Sequence, residues 1–216
     1  MQKRKLFADT IIILTAIFAM TSCIGINADI VLNSNNSGTI TLEYRVSRFF
    51  DSLGRLDGNE SRPPLPAGRL DFERTIQRIP GMKLLSYASR ETGSDRIISV
   101  RLEFSAIEDL VKFMDAHGEK ALYTNGSSHM VFVLNNGTGQ GYSREMNSLI
   151  SQITNGYDIN ISMSFPSDAA VRLLDTRGNP SSVNAAITSP GRKVSGSLPL
   201  ETALTAPNGL MLEFIW

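Results

Sequence analysis

YDINISMSF, residues 157–165, alternates without a break. Tyr157, Ile159, Ile161, Met163 and Phe165 point one way, and Asp158, Asn160, Ser162 and Ser164 the other. Successive side chains of a β-strand project to opposite faces, so a period of two with one apolar set marks a strand with one covered and one wet face. Such a strand favours antiparallel pairing, because strands of all-parallel sheets are buried on both faces and lose the alternation. The same period recurs on either side of it. GTITLEYRV (38–46) sets Ile40, Leu42, Tyr44 and Val46 against Thr39, Thr41, Glu43 and Arg45, and ADIVLN (28–33) precedes it across the turn-rich SNNSG, which predicts a hairpin. RIISVRLEF (96–104) carries Ile98, Val100, Leu102 and Phe104, and LMLEFIW (210–216) carries Leu210, Leu212, Phe214 and Trp216. HMVFVLN (129–135) is apolar on both faces and reads as a more buried strand. One or two short strands are expected around Val183–Ile187, inside the irregular stretch 175–193.

Three segments carry the period of a helix instead. LDFERTIQRI (70–79) places Phe72, Ile76 and Ile79 on one face and stops at Pro80-Gly81. In SAIEDLVKFMDA (105–116), Ile107, Leu110, Val111 and Met114 form a stripe, and Ser105 and Glu108 have capping-box spacing. SREMNSLISQIT (143–154) offers Met146, Leu149, Ile150 and Ile153, with Asn155-Gly156 as its stop. SLPLETALTA (197–206) suits one further helical turn. One-sided stripes suit helices lying on a sheet. The expected fold class is therefore α+β, a mostly antiparallel sheet with about three amphipathic helices packed on one face. RLDGNESRPPLPAG (55–68), rich in Gly, Pro and charge, reads as an exposed loop within a single domain spanning 23–216.

The first 22 residues follow another logic. Lys3, Arg4 and Lys5 stand ahead of the apolar IIILTAIFAM, and Thr21, Ser22 and Cys23 follow. A basic start, a short apolar run and small residues form an export signal, and the run falls short of the roughly 20 residues that span a bilayer. Met20-Thr21-Ser22-Cys23 resembles the lipobox of bacterial lipoproteins, with Met20 in place of the leucine and Ser22 in place of glycine or alanine. That resemblance implies cleavage between Ser22 and Cys23, diacylglycerol on the Cys23 thiol and a further acyl group, such as palmitate, on the new amino terminus. The plainer readings are an ordinary signal peptide or a small buried thiol. Two or more acyl chains anchor a protein stably, so the lipobox reading predicts a domain tethered to a membrane on its extracytoplasmic side. Removing residues 1–22 takes away Lys3, Arg4, Lys5 and Asp9 from a chain with 21 basic and 21 acidic residues, leaving the acids two ahead. A faintly acidic domain has no broad electrostatic attraction to nucleic acid. Cys23 is the one cysteine, so no intrachain disulfide forms and stability rests on an apolar core.

Motifs for chemistry are sparse, and neither a metal nor a cofactor is expected. His117 ends a helical stretch, where a cation suits the helix terminus, and His129 stands in an apolar strand, opposite in direction to Met130 and Phe132. Asp57, Asn59 and Ser61 imitate the start of a calcium loop, but Arg62 and Gly68 occupy the positions that need glycine and glutamate. Gly137, Gly139 and Gly141 lie between a strand and a helix, without the lysine or the glycine spacing of a phosphate loop. L-E-(Y/F) recurs at Leu42–Tyr44, Leu102–Phe104 and Leu212–Phe214, and acids on the wet face of a sheet suffice to explain Glu43, Glu103 and Glu213. Phe49, Phe50 and Leu53 follow a clean strand. They cap the sheet's core or, on the other reading, form an aromatic lip that contacts an apolar ligand.

The order of lipobox, ADIVLNSNNSGTITLEYRVS, helical middle and closing GLMLEFIW resembles the LppM-like family of bacterial envelope lipoproteins. Asp29, Leu32, Ser37, Gly38 and Thr39 match its opening hairpin, Phe165-Pro166 a late strand end, and Trp216 its closing strand. Many members continue into a transmembrane helix after that tryptophan. The resemblance implies an α+β domain that binds lipid or glycolipid, and it supplies no catalytic residues. Three functions follow as expectations. The first is a membrane-anchored, non-enzymatic binding module for a lipid or other amphipathic ligand. The second is an assembly subunit docking another envelope protein through a sheet edge or the 55–68 loop. The third and most remote is a hydrolase of envelope polymers.

Overall fold

The structure, a computed structural model, describes residues 24–47, 68–93, 95–115, 121–123, 128–137 and 142–216. Its centre is the stretch quoted above, which belongs to a longer strand, β7 (Asp158–Leu174). The first half of β7 pairs in parallel with β1 (Ile24–Leu32), from Ile26↔Ile159 to Val31↔Ser164, and antiparallel with β9 (Gly191–Pro199) on its other edge. Past the Phe165–Asp168 step β9 rejoins it at Ala169↔Gly191, and β10 (Leu210–Ile215) pairs with it from Leu174↔Met211 to Ala170↔Ile215. Pro166 sits in that step. It carries no N–H, and it falls where one ladder has ended and the next has not begun.

From β1 the sheet runs antiparallel through β2 (Gly38–Ser47) and β4 (Asp95–Phe104) to β3 (Met82–Thr92). From β10 it runs through β6 (His129–Asn135) to the short β5 (Ala121–Tyr123), and β8 (Ala186–Thr188) lines β9. Of these pairings only β1–β7 is parallel, as the alternating patterns predict. The expected β1–β2 hairpin forms, turning through Asn33–Ser37 with Asn36 at φ 63°. Gly38 is required there, because a Cβ would come within 2.5 Å of the Phe104 ring and collide with the Val31 carbonyl.

The helices depart from expectation. Strand accounts for 54% of the structure and helix for 21%, and the path of eight strands curls into a half-barrel; helices do not form a layer on one face. The physical reason is that the sheet covers itself. Inward side chains of β7, β9 and β10 (Met163, Val194, Leu212 and Phe214) share one core with those of β1, β2 and β4 (Ile30, Ile40, Leu102 and Phe104). Helices of eight to eleven residues reach only about 12–16 Å and fill separate gaps. Helix α1 (Arg69–Ile76) buries Phe72 against β2 and β3, and α2 (Ile107–Met114) inserts Ile107 and Leu110. Helix α3 (Arg144–Thr154) packs mainly on α4 (Leu200–Thr205), burying Ile150 and Thr154, while Met146 and Leu149 stay 45% and 50% exposed.

Ser143 caps α3, its hydroxyl accepting from the Met146 N–H at 3.2 Å. The Ser105–Glu108 box does not form. Helix α2 begins one residue later, with Ala106 as its uncapped N-cap, because Ser105 is still tied to the preceding turn by its N–H to the Gly81 carbonyl at 2.9 Å.

Gly196 allows β10 to lie across β9. A Cβ at that position would stand 2.6 Å from the Leu212 side chain. Gly196→Val is expected to lower the unfolding free energy by about 1–3 kcal/mol in urea titration, the usual cost of overpacking. An unchanged urea midpoint would mean that β10 does not cross there.

Candidate functional site: the aromatic end of the half-barrel

The end of the sheet at which β1 starts and β2 finishes holds the most distinctive chemistry among the described residues. Tyr44 lies on the inward face of β2, opposite Ile26 on β1 and Ile98 on β4. Its ring packs against Phe72 of α1 at 6.4 Å, and Phe72 in turn meets Tyr87 of β3 at 6.0 Å. Tyr44 is 2% exposed, yet its hydroxyl has no hydrogen-bond partner among the described residues. Burial raises its pKa well above the ordinary phenol range; Tyr87 and Asp71 push the same way, and Arg96 opposes them. The group is therefore a neutral phenol at physiological pH, with one donor and one acceptor position unused. A buried polar group without a partner costs free energy and calls for an explanation.

At the same end is a polar cluster of Tyr157, Asp95 and Arg45, the first two of them buried. Tyr157 lies over Gly25 of β1, where a Cβ would stand 3.2 Å from the ring, and donates to the Asp95 carboxylate at 3.4 Å. Arg45 Nε stands 3.9 Å from that carboxylate, which is nearly buried. Further along the outward face, Asn160 donates to Asn27 at 2.7 Å and Ser162 to Asp29 at 2.7 Å, while Lys193 pairs with Asp29 at 3.2 Å. Asn27, Asp29, Asn160 and Ser162, with Thr41 and Glu43, line an open depression of about 250 Å³. A second open depression, on the surface of α3, is lined by Arg144, Glu145, Ser148, Leu149 and Gln152.

Most residues singled out from the sequence fall elsewhere. Ser22, Cys23, Phe49, Phe50, Leu53, His117, the Asp57–Ser61 segment, Gly139 and Gly141 lie outside the described residues. Gly137 turns at φ 86° and donates to Asn135 Oδ1 at 2.8 Å, a local turn bond. His129 is not isolated: its Nε2 sits 2.8 Å from Glu213, which also faces Arg172 at 4.0 Å. No spacing signals that pair, since the residues are 84 apart and meet only because β6 and β10 are neighbours. Glu43 lies in the outward depression and Glu213 beside His129, and Glu103 stands opposite Thr39 on β2. The recurrent acids therefore occupy separate places on the sheet. The described residues contain no group of three or more side chains suited to hold a metal ion. Among them no helix is long and apolar enough to cross a membrane.

The unpartnered hydroxyl makes a stability test. Tyr44→Phe is expected to raise the unfolding free energy by about 1 kcal/mol, since leaving a buried polar group unpaired costs ~1–3 kcal/mol. Phe72→Ala is expected to lower it by about 3–5 kcal/mol. A clear loss of stability in Tyr44→Phe would show that the hydroxyl is bonded.

No protein-family model matches the chain, and no curated protein matches it in sequence. Among solved structures, it is similar to the NMR structure of the folded domain of the LppM protein of Mycobacterium tuberculosis. The two share 11% sequence identity at a TM-score of 0.42, over 91% of this chain and 92% of that one.

Proposed function

We propose that the chain is an acyl-anchored protein of the bacterial cell envelope, held on the extracytoplasmic side through Cys23. In this proposal its domain takes an amphipathic ligand at the aromatic end of the half-barrel, and it binds without catalysing a reaction. The anchor rests on the order of basic start, short apolar run, small residues and cysteine. The ligand rests on one observation: a fully buried phenol with no partner, in an apolar wall, two residues from the end of its strand's pairing with β1. A lipid-like molecule supplies both what that wall accepts, alkyl chain, and what Tyr44 lacks, a polar atom to bond.

Helix α1 closes this end with a single fully buried side chain, Phe72. Displacing it costs about 1.5–3 kcal/mol of apolar burial, which roughly two to four ligand methylenes offset at ~0.8 kcal/mol each. The closed end is thus compatible with uptake by exchange, ligand for phenylalanine.

Residues 24–216, which contain every strand described, test this directly. Non-denaturing mass spectrometry of that domain, expressed for export and purified without detergent, is expected to show a lipid-sized adduct. Tyr44→Phe is expected to fold and to weaken retention roughly two- to tenfold, the value of one net hydrogen bond. An adduct-free domain overturns the proposal, and a co-purifying protein in place of lipid favours the docking subunit.

A further inference from the structure

We infer that the end of the sheet where β1 starts lies against the bilayer, so that the domain sits flush on the membrane in one orientation. This rests on the acylation of Cys23 proposed above. Strand β1 begins at Ile24, the residue after Cys23. One residue spans at most about 3.6 Å, so no tether separates acyl chains in the bilayer from the start of the strand. Nor can β1 peel away to make one. It is paired with β2 at every position from Ile24↔Val46 to Leu32↔Gly38, and with β7 from Ile26↔Ile159 onward. Releasing it would break the centre of the sheet and expose Ala28, Ile30 and Leu32.

The register says what else must then meet the headgroups. Val46 lies opposite Ile24, and β4 begins beside β2 with Asp95↔Ser47. The β3–β4 hairpin closes at Thr92↔Asp95, with Gly93 in a left-handed turn, and β7 starts after the Asn155-Gly156 turn. Arg45 and Arg90 are exposed in the strands that meet at this end, while the half-buried Arg96 donates to Ser89 at 2.9 Å; a guanidinium fork matches a lipid phosphate. Glu91, Asp95 and Asp158 share it and cancel their charge, so the acyl chains, and not net attraction, hold the end in place. The inward side of the same end carries Tyr44, which places the ligand site facing the lipid from which an amphipathic ligand would come.

Site-directed spin labelling of the full acylated chain, in vesicles of phosphatidylethanolamine and phosphatidylglycerol, tests the orientation. Once its thiol is a thioether, Cys23 takes no label, and the chain has no other cysteine. Thr92→Cys labels the proposed bilayer end, and Asn35→Cys labels the turn at the far end of β1, about 30 Å away. Both positions are exposed. The Thr92 label is expected to lose most of its collisions with a water-soluble nickel chelate on vesicle binding, and the Asn35 label to keep them. Equal accessibility of the two labels in an acylated chain overturns the orientation alone. An amino-terminal peptide without acyl mass, with Cys23→Ala retained on membranes as well as the parent chain, overturns the anchor and the orientation together.

Discussion

One strand makes two sheets into one core. β7 pairs with β1 and β9 over its first half and with β10 over its second, and the exchange happens at a proline that can belong to neither ladder. A proline within a strand usually marks an edge or a stop. Here it marks a corner: the β1 ladder ends before it, the β9 ladder is interrupted across it and the β10 ladder begins after it, so its missing N–H falls in no ladder. The rest follows from that bend. Once β10, β6 and β5 leave the corner, their inward residues meet the inward residues of β9, and Gly196 supplies the clearance for Leu212. A sheet that covers its own apolar face does not need a helical layer.

The same pairing organises the two ends. Because β1 is antiparallel to β2 and parallel to β7, the starts of β1 and β7 and the end of β2 share one rim. Tyr44, Tyr87 and Phe72 pack together at that rim, and the buried Tyr157 meets Asp95 there, with Arg45 beside it. The opposite end is closed differently. Phe165 stacks on Trp216 at 5.1 Å, and Trp216 on Tyr123 at 6.5 Å, which seals the seam where the second sheet leaves β7. The first cluster holds a buried hydroxyl with no partner, and among the described residues no other buried side-chain polar atom is left so.

Strands with strict alternation were legible from sequence because a wet outer face forces it: β1, β2, β4, the first half of β7 and β10 all carry the period. β3 was not, because the extra residue Leu85 between Leu84 and Ser86 shifts the phase mid-strand. β9, GRKVSGSLP, reads as loop because its small residues owe their extended form to β7 and their size to Leu212. The second half of β7 hid behind Pro166. Helix positions were readable from their stripes, but their placement was not, since a stripe shows that a face is covered and not by what. For the site, Tyr44 looked like any other inward residue of an alternating strand. Its lack of a partner is a property of the packed end, and no local pattern encodes it.

The proposed ligand site is a buried hydroxyl in an aromatic wall, at the rim beside which the proposed Cys23 anchor would hold the domain. Intermolecular NOEs test it most directly, with the 24–216 domain and dihexanoylphosphatidylcholine held below its micelle concentration. Acyl-chain protons should show NOEs to the rings of Tyr44, Phe72 and Tyr87, with shifts of the α1 amides. NOEs confined to the exposed Met146 and Leu149 of α3, or absent altogether, would contradict the account.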